Sequence, residues 1–306
     1  MEIVLGFLIA FAIALTGVGA GSLTTPLLVI LTGISPAKGV GTALAFGFLV
    51  KCICTPVYLF RGQVNFRIFR YLLYGGVPGV AIGSLLLNRL QHEAREDVIN
   101  ISLGLIIAAT AIFHLWRMFR ARGSSSGRDR AHYLPYFAFL IGLEVGFSSA
   151  GAGALGSLLL LGMTTLSASE VIGTDLCFGL AVALIGSGFQ LTMGNYDLHI
   201  LLLLATGGIA GAVSGSLLTG RIAQRPLRIG LLIVLIFLGS QLCYRGLGQE
   251  RANRAAETAR IHSIRNAAAG SMRAARRAGS HAARSADAIS ASDEATNTSP
   301  LQGVTL

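Results

Sequence analysis

Residues 12–85 recur without a gap 132 positions further along the chain, and the recurrence is carried almost wholly by apolar and small residues. Gly19-Ala20-Gly21 returns as Gly151-Ala152-Gly153, Gly41-Thr42 as Gly173-Thr174, and Phe46-Gly47 as Phe178-Gly179. Gly62 returns as Gly194, Gly75-Gly76 as Gly207-Gly208, and Gly83-Ser84-Leu85 as Gly215-Ser216-Leu217. An offset held that long marks an internal duplication. A duplicated apolar segment is the pattern of membrane transporters built from two related bundles with a site between them.

Only 12% of the residues are charged, against roughly 25% in soluble domains. A mean hydropathy of +0.67 leaves too little polar surface to cover a water-exposed globule. Long apolar runs without alternation exclude a transmembrane barrel. Cutting at charges and turn signals gives eight segments, about 3–31, 36–60, 68–90, 98–118, 134–162, 168–193, 198–220 and 227–246. The expected fold is therefore all-α and membrane-embedded, with about eight transmembrane segments in two homologous four-segment repeats.

Two helix starts are legible. Ser35-Pro36 places a cap before the residue best tolerated in a first turn, and Ser167-Ala168-Ser169-Glu170 has the form of a capping box. Segments 3–31 and 134–162 are anomalous, since ~30 residues of unbroken helix would run ~45 Å at 1.5 Å per residue. Each carries a glycine cluster in its middle, so both are expected to be broken or re-entrant. Residues 3–31 lack a basic leader and are expected to belong to the mature fold.

Four regions follow: a first repeat over 1–122, a basic linker over 123–131, a second repeat over 132–248, and a tail over 249–306. Arginines flank the linker and recur in the tail, and the positive-inside rule expects both in the cytoplasm. That expectation requires segments 3–31 and 134–162 to cross the membrane, which gives the two repeats the same orientation. If those segments dip in and return, the repeats are inverted and the two basic regions lie on opposite sides. The tail, rich in alanine, serine and arginine, cannot bury a core and is expected not to order itself. The net charge of +10 belongs to topology and gives no reason to expect a nucleic-acid partner.

Polar residues inside apolar segments are the candidates for chemistry, because a charge at the bilayer centre costs ~2.5–3.5 kcal/mol on insertion scales. Lys51, Glu144 and Asp175 qualify, and their counterparts at the 132-residue offset are Ala183, Ala12 and Ala43. Lys51 would attract an anion, while Asp175 and Glu144 would exchange a proton during alternate access. The competing reading pairs the lysine with a carboxylate or lets it snorkel. The glycine breaks supply a second set of candidates. Unwound backbone at Gly19, Gly21, Gly151 and Gly153, with the hydroxyls of Ser22, Ser149, Thr42 and Thr174, would solvate an anion at a helix N-terminus. The bland alternative is tight helix packing on small residues. Cys52, Cys54, Cys177 and Cys243 sit in apolar helices and are read as packing residues, with no metal or cofactor implied.

The first-helix glycine pattern with Pro26, Gly41-Thr42-Ala43, the run from Tyr58 to Gly62, and Gly75-Gly76-Val77-Pro78-Gly79 with Gly83 resemble the TauE/SafE family of sulfite exporters and related permeases. The resemblance covers about 3–246. It implies a bacterial inner-membrane permease that is not an enzyme and that moves a small anion such as sulfite or a sulfonate. Self-association into a homo-oligomer is compatible with it. Leu158 stands where Pro26 would repeat, and the long basic tail is outside the pattern. A passive channel would spread polar residues along several helices, and an intramembrane redox protein would pair histidines within them. Here His92, His114, His132 and His199 lie at segment ends.

If backbone amides at the breaks meet the ligand, a Cβ there obstructs it. Gly19→Ala and Gly151→Ala are expected to abolish flux in a protein that still inserts, whereas Gly207→Ala mainly lowers thermal stability. Flux and detergent stability measured on all three variants separate the cases; normal flux in the first two reduces the clusters to packing motifs.

Overall fold

A computed structural model of the chain describes residues 1–16, 20–93, 96–120, 131–150, 153–218 and 224–297. All regular structure among them is helical. Ten α-helices follow in order: α1 (Glu2–Thr16), α2 (Ala20–Leu31), α3 (Pro36–Phe60), α4 (Phe66–His92), α5 (Glu96–Arg120), α6 (Leu134–Ser148), α7 (Ala154–Met163), α8 (Ala168–Thr192), α9 (Leu198–Leu218) and α10 (Gln224–Asn297). A 3-10 turn at Ala131–Tyr133 leads into α6. Gly19, Gly151 and most of the linker lie outside the described residues.

Six of these helices are long and apolar enough to cross a membrane: α3, α4, α5, α8, α9 and the Pro226–Arg251 part of α10. Eight were expected. The difference lies in the two anomalous segments, whose described residues form two shorter helices each. α1 and α2 have 15 and 12 residues, α6 and α7 have 15 and 10. At 1.5 Å per residue none exceeds about 23 Å, short of a ~30 Å hydrocarbon core.

Local chemistry sets the breaks and starts. Ser149 closes α6 in a left-handed conformation (φ 57°), with its N–H donating to the Val145 carbonyl at 2.8 Å. Gly153 precedes α7 at φ 110°, a conformation that only glycine adopts without strain. The capping box at α8 is formed in both directions between Ser167 and Glu170. At α3 the expected side-chain cap is absent, and the Ser35 carbonyl instead accepts from Gly39 N–H at 3.0 Å.

Residues 1–249 form one compact unit. Within it the closest contacts are backbone against glycine, and each recurs with both partners shifted by 132. A Cβ on Gly75 would collide with the Pro135 carbonyl, and one on Gly207 with that of Ile3. Gly79 meets Phe139 and Gly211 meets Phe7; Gly83 meets Leu143 and Gly215 meets Phe11. The Phe178 ring lies on Gly76 and the Phe46 ring on Gly208, both rings fully buried. α6 therefore packs parallel on α4, and α1 parallel on α9. Without a hydrophobic drive between helices in lipid, such small-residue contacts hold a bundle by dispersion.

The register of α3 and α8 is the reverse. Gly41 abuts Gln190 and the Asn195 carbonyl, while ten residues on, the Lys51 Nζ donates to the Gly179 carbonyl at 3.1 Å. Numbers rise on one helix as they fall on the other, so α3 and α8 are antiparallel. α5 and α10 are antiparallel too: Asn100 donates to Gln249 at 2.9 Å, and Gly104 abuts Gly239. One end of the bundle, the near face, holds the ends of α3, α5 and α9 and the starts of α4, α6, α8 and α10. The far face holds the opposite ends, reached in α10 at about Gln249.

The second unit is Glu250–Leu306. Its residues 250–297 are helical, with Arg254 paired to Glu250 one turn away. Alanine accounts for the helix, having the highest intrinsic propensity. The described side chains past Glu250 are exposed, so no core is required.

Candidate functional site

A cavity of about 230 Å³ opens at the near face. Its walls come from the end of α1 (Ile13 to Thr16), the second half of α3, Ser157 of α7, the first half of α8, the end of α9 and Arg228 of α10. Thr16, Lys51, Tyr58, Arg61, Ser157, Asp175, Ser216 and Arg228 are its polar groups. The volume is below the ~300–1,000 Å³ of drug-sized ligand sites, and suits a small solute.

Lys51 and Asp175 are 5% and 3% exposed. They line the same space from facing helices, although no ion pair within 4 Å joins them among the described residues. The lysine is held by the Gly179 carbonyl, one helical turn beyond Asp175. Ser157 Oγ donates to Asp175 Oδ2 at 2.6 Å and lies 2.8 Å from the Gly153 carbonyl. The other carboxylate oxygen, Oδ1, is buried without a protein partner and lies against Gly156, where any Cβ would strike it. Glycine at 156 is thus what lets α7 approach α8 at the carboxylate. Arg228 donates from Nε to the Thr16 carbonyl at 3.0 Å, closing the free end of α1 and setting a guanidinium at the cavity wall.

The expected site residues divide into groups. Lys51 and Asp175 share the cavity; Gly153 supports it through Ser157. Gly21 and Ser149 meet each other toward the far face: the Ser149 backbone leaves no room for a Cβ on Gly21, and Ser149 Oγ lies 2.7 Å from Thr25 Oγ1. Ser22 is buried nearby in α2, 7% exposed. Thr42 and Thr174 anchor the starts of neighbouring helices, Thr42 Oγ1 accepting from Asp197 N–H and Thr174 Oγ1 from Asn65 N–H, both at 3.0 Å. These two bonds also exchange under the 132-residue shift. Glu144 lines a different cavity of about 400 Å³ with Arg117 and apolar residues of α5, α6 and α7; its Oε1 has no hydrogen-bond partner.

Sequence reasoning missed Ser157 and Arg228. Ser157 was legible as the hydroxyl four residues after Gly153, matched by Thr25 in the first half. Arg228, at the start of the last apolar segment, gave no signal of its own beyond its charge. Cys54, assigned to packing, lines the cavity.

The sulfite exporter TauE/SafE family matches residues 2–242. The chain belongs to this family. A probable membrane transporter protein of Bacillus subtilis, YjnA, is 28% identical over 249 residues, covering 78% of this chain and 98% of its own. The probable membrane transporter protein y4hK of Sinorhizobium fredii is 29% identical over 249 residues, covering 78% and 95%. YunE of Bacillus subtilis, also named a probable membrane transporter protein, is 23% identical over 265 residues, covering 80% and 97%. No solved structure matches. With six apolar helices long enough to span a bilayer, this TauE/SafE protein is a multi-pass membrane transporter.

Gly156→Ala is expected to displace the Asp175 carboxylate and to cut flux at least tenfold, with little change in expression. Ser157→Ala removes only the hydrogen bond and should have a smaller effect on flux. Initial rates in proteoliposomes, with thermal stability in detergent, would measure both; unchanged flux in Gly156→Ala would detach Asp175 from transport.

Proposed function

We propose that the chain is a secondary permease for a small anion, with sulfite or a small sulfonate as the substrate class, and that the near-face cavity is its site. The observation that carries this is the convergence of Lys51 and Arg228 on a cavity sized for a small solute, in a family named for sulfite export. Lys51, Arg61 and Arg228 provide the attraction, and hydroxyls at Tyr58 and Ser157 can hydrogen-bond an oxyanion. Asp175, held by Ser157 beside Lys51, is the proton-exchanging group: protonated, it leaves the cations free for the anion; ionised, it competes with the anion for them. Glu144 stands apart in its own cavity and is a second carboxylate available to the same coupling.

The reading extends to architecture. Two copies of one unit, each with three spans and one re-entrant hairpin, related by inversion across the bilayer, account for six spans, two broken segments and antiparallel homologous helices. Residues 1–122 and 132–248 are the two units, 123–131 their linker, and 249–306 a tail. The near-face connections carry Arg61, Arg67, Arg70, Arg117, Arg225 and Arg228, whereas the described far-face ones carry Lys38 and Arg89, with Arg245 and Arg251 at the end of the last span. In an inner membrane, the positive-inside rule for short loops puts the near face in the cytoplasm, and the chain past Gln249 then leaves from the opposite side. This revises the placement of linker and tail on one side.

Lys51→Met keeps the volume and removes the charge. At imposed pH gradients, across a panel of sulfur oxyanions, it is expected to reduce sulfite flux at least tenfold; wild-type rates and affinity would show that the lysine has no part in transport. Independently, single cysteines in the linker and in the tail, placed in an otherwise cysteine-free chain, are expected to react with an impermeant thiol reagent from opposite sides. Labelling from one side would restore the crossing model.

A further inference from the structure

The polar residues of the near-face cavity have counterparts at the 132-residue offset: Ser148 for Thr16, Gln190 for Tyr58, Thr25 for Ser157 and Ser84 for Ser216. The reversed register of α3 and α8 carries these counterparts to the far-face half of the bundle. The near-face set lines open space. The far-face set is sealed: Thr25, Ser84, Ser148 and Gln190 are each 0% exposed. Their hydrogen bonds close on one another and on the second helix break. Thr25 Oγ1 meets Ser149 Oγ at 2.7 Å, Ser148 Oγ donates to the Glu144 carbonyl at 2.9 Å and lies 3.2 Å from Ala150 N, and Asn195 Nδ2 donates to Gln190 Oε1 at 3.0 Å.

Hydroxyls that bond across helices are ordinary packing features in a bundle, whereas an unpaired buried amide is not. A buried polar group without a partner is costly, and native structures keep few of them. Gln190 Nε2 has no partner at all while fully buried. Opening the seam would wet this amide and remove the cost of burying it unpaired.

We propose that Thr25, Ser148, Ser149 and Gln190 form the closed second mouth of the pathway, through which the same small anion leaves toward the far face once the near-face cavity shuts. The inference rests on the near-face cavity being the transport site. Both mouths are built from the same residue positions of the two halves, so the two closed packings are similar in energy and one sequence supports both. The charges do not repeat: Lys51 and Asp175 face Ala183 and Ala43 at the equivalent positions. The anion therefore has its charged partners on the near side, drawn from both halves, and passes, on the far side, amide and hydroxyl groups able to donate hydrogen bonds without binding it tightly.

Two measurements in a cysteine-free chain test this. Thr25→Cys with Ser149→Cys places two thiols where the hydroxyls touch. On oxidation, sulfite flux in proteoliposomes is expected to fall at least tenfold and to recover with reductant, while sulfite still raises the thermal stability of the oxidised protein in detergent. Flux that persists in the oxidised protein overturns the proposal, and so does loss of the stabilisation on oxidation, because the seam would then belong to the binding site itself. The second measurement needs no substrate. Gln190→Cys is expected to react from the far face with a small charged thiol reagent, although the residue is fully buried in this state, while Leu44→Cys, a core position, does not react. Equal inertness of the two overturns the second mouth. A parent protein that neither binds nor moves any anion of the panel while Gln190→Cys still reacts would instead sink the transport-site reading.

Discussion

A helix that stops inside a membrane leaves carbonyls or amides with no water to take them, and every feature of this bundle around the two broken segments answers that requirement. Neither α1 nor α2 has a basic residue in its last turn, so the complement to their free ends comes from elsewhere. α10 supplies it twice. Arg228 reaches the Thr16 carbonyl at the end of α1, and Arg245 reaches the Val29 and Ile30 carbonyls at the end of α2, at 3.4 and 3.3 Å. Seventeen residues of helix separate these arginines, about 25 Å at 1.5 Å per residue. The two ends they close therefore lie on opposite faces, as a segment that enters and returns requires. The guanidinium that completes α1 is also a wall of the cavity, so satisfying the backbone and charging the site are one act.

The scaffold is symmetric where packing decides and asymmetric where charge does. Glycines at equivalent positions admit equivalent partners, down to an aromatic ring on Gly76 and Gly208. Symmetry of this kind gives two alternative closures of similar energy. It cannot by itself give binding, because a lysine and a carboxylate in both halves would double the cost of burying charge. One lysine and one aspartate, entering from α3 and α8 and meeting between the halves, give the site its charge once.

Much of the frame was legible in the sequence, since close helix approach demands glycine and glycine is visible as a letter. The long spans, the position of both breaks and the capping box at Ser167 all follow from residue type and spacing. What escaped depended on partners distant in the chain. Thr42 and Thr174 could be placed near a break but not assigned to the N–H groups of Asp197 and Asn65, because that needs the two halves to exchange helices. Glu144 and Asp175 looked alike as buried carboxylates. Only packing separates them, one against Ser157 and Lys51, the other among Phe113, Leu140 and Leu159.

Orientation was the hardest property to read because two rules compete. Counting arginines in the linker and the tail favours a single side for both, while the length of an unbroken helix favours segments that do not cross. The positive-inside rule acts on short loops near span ends and weakly on long segments, so the arginines of the tail carry less weight than Arg61 after α3 and Arg67 and Arg70 in the first turns of α4. The length argument is a limit of geometry: 15 residues of helix reach about 23 Å, and a break filled with glycine adds no hydrogen-bonded span. Where a statistical preference meets a limit of reach, the limit decides. Here it favours the proposed arrangement, six spans with the two halves inverted, over eight spans with parallel halves.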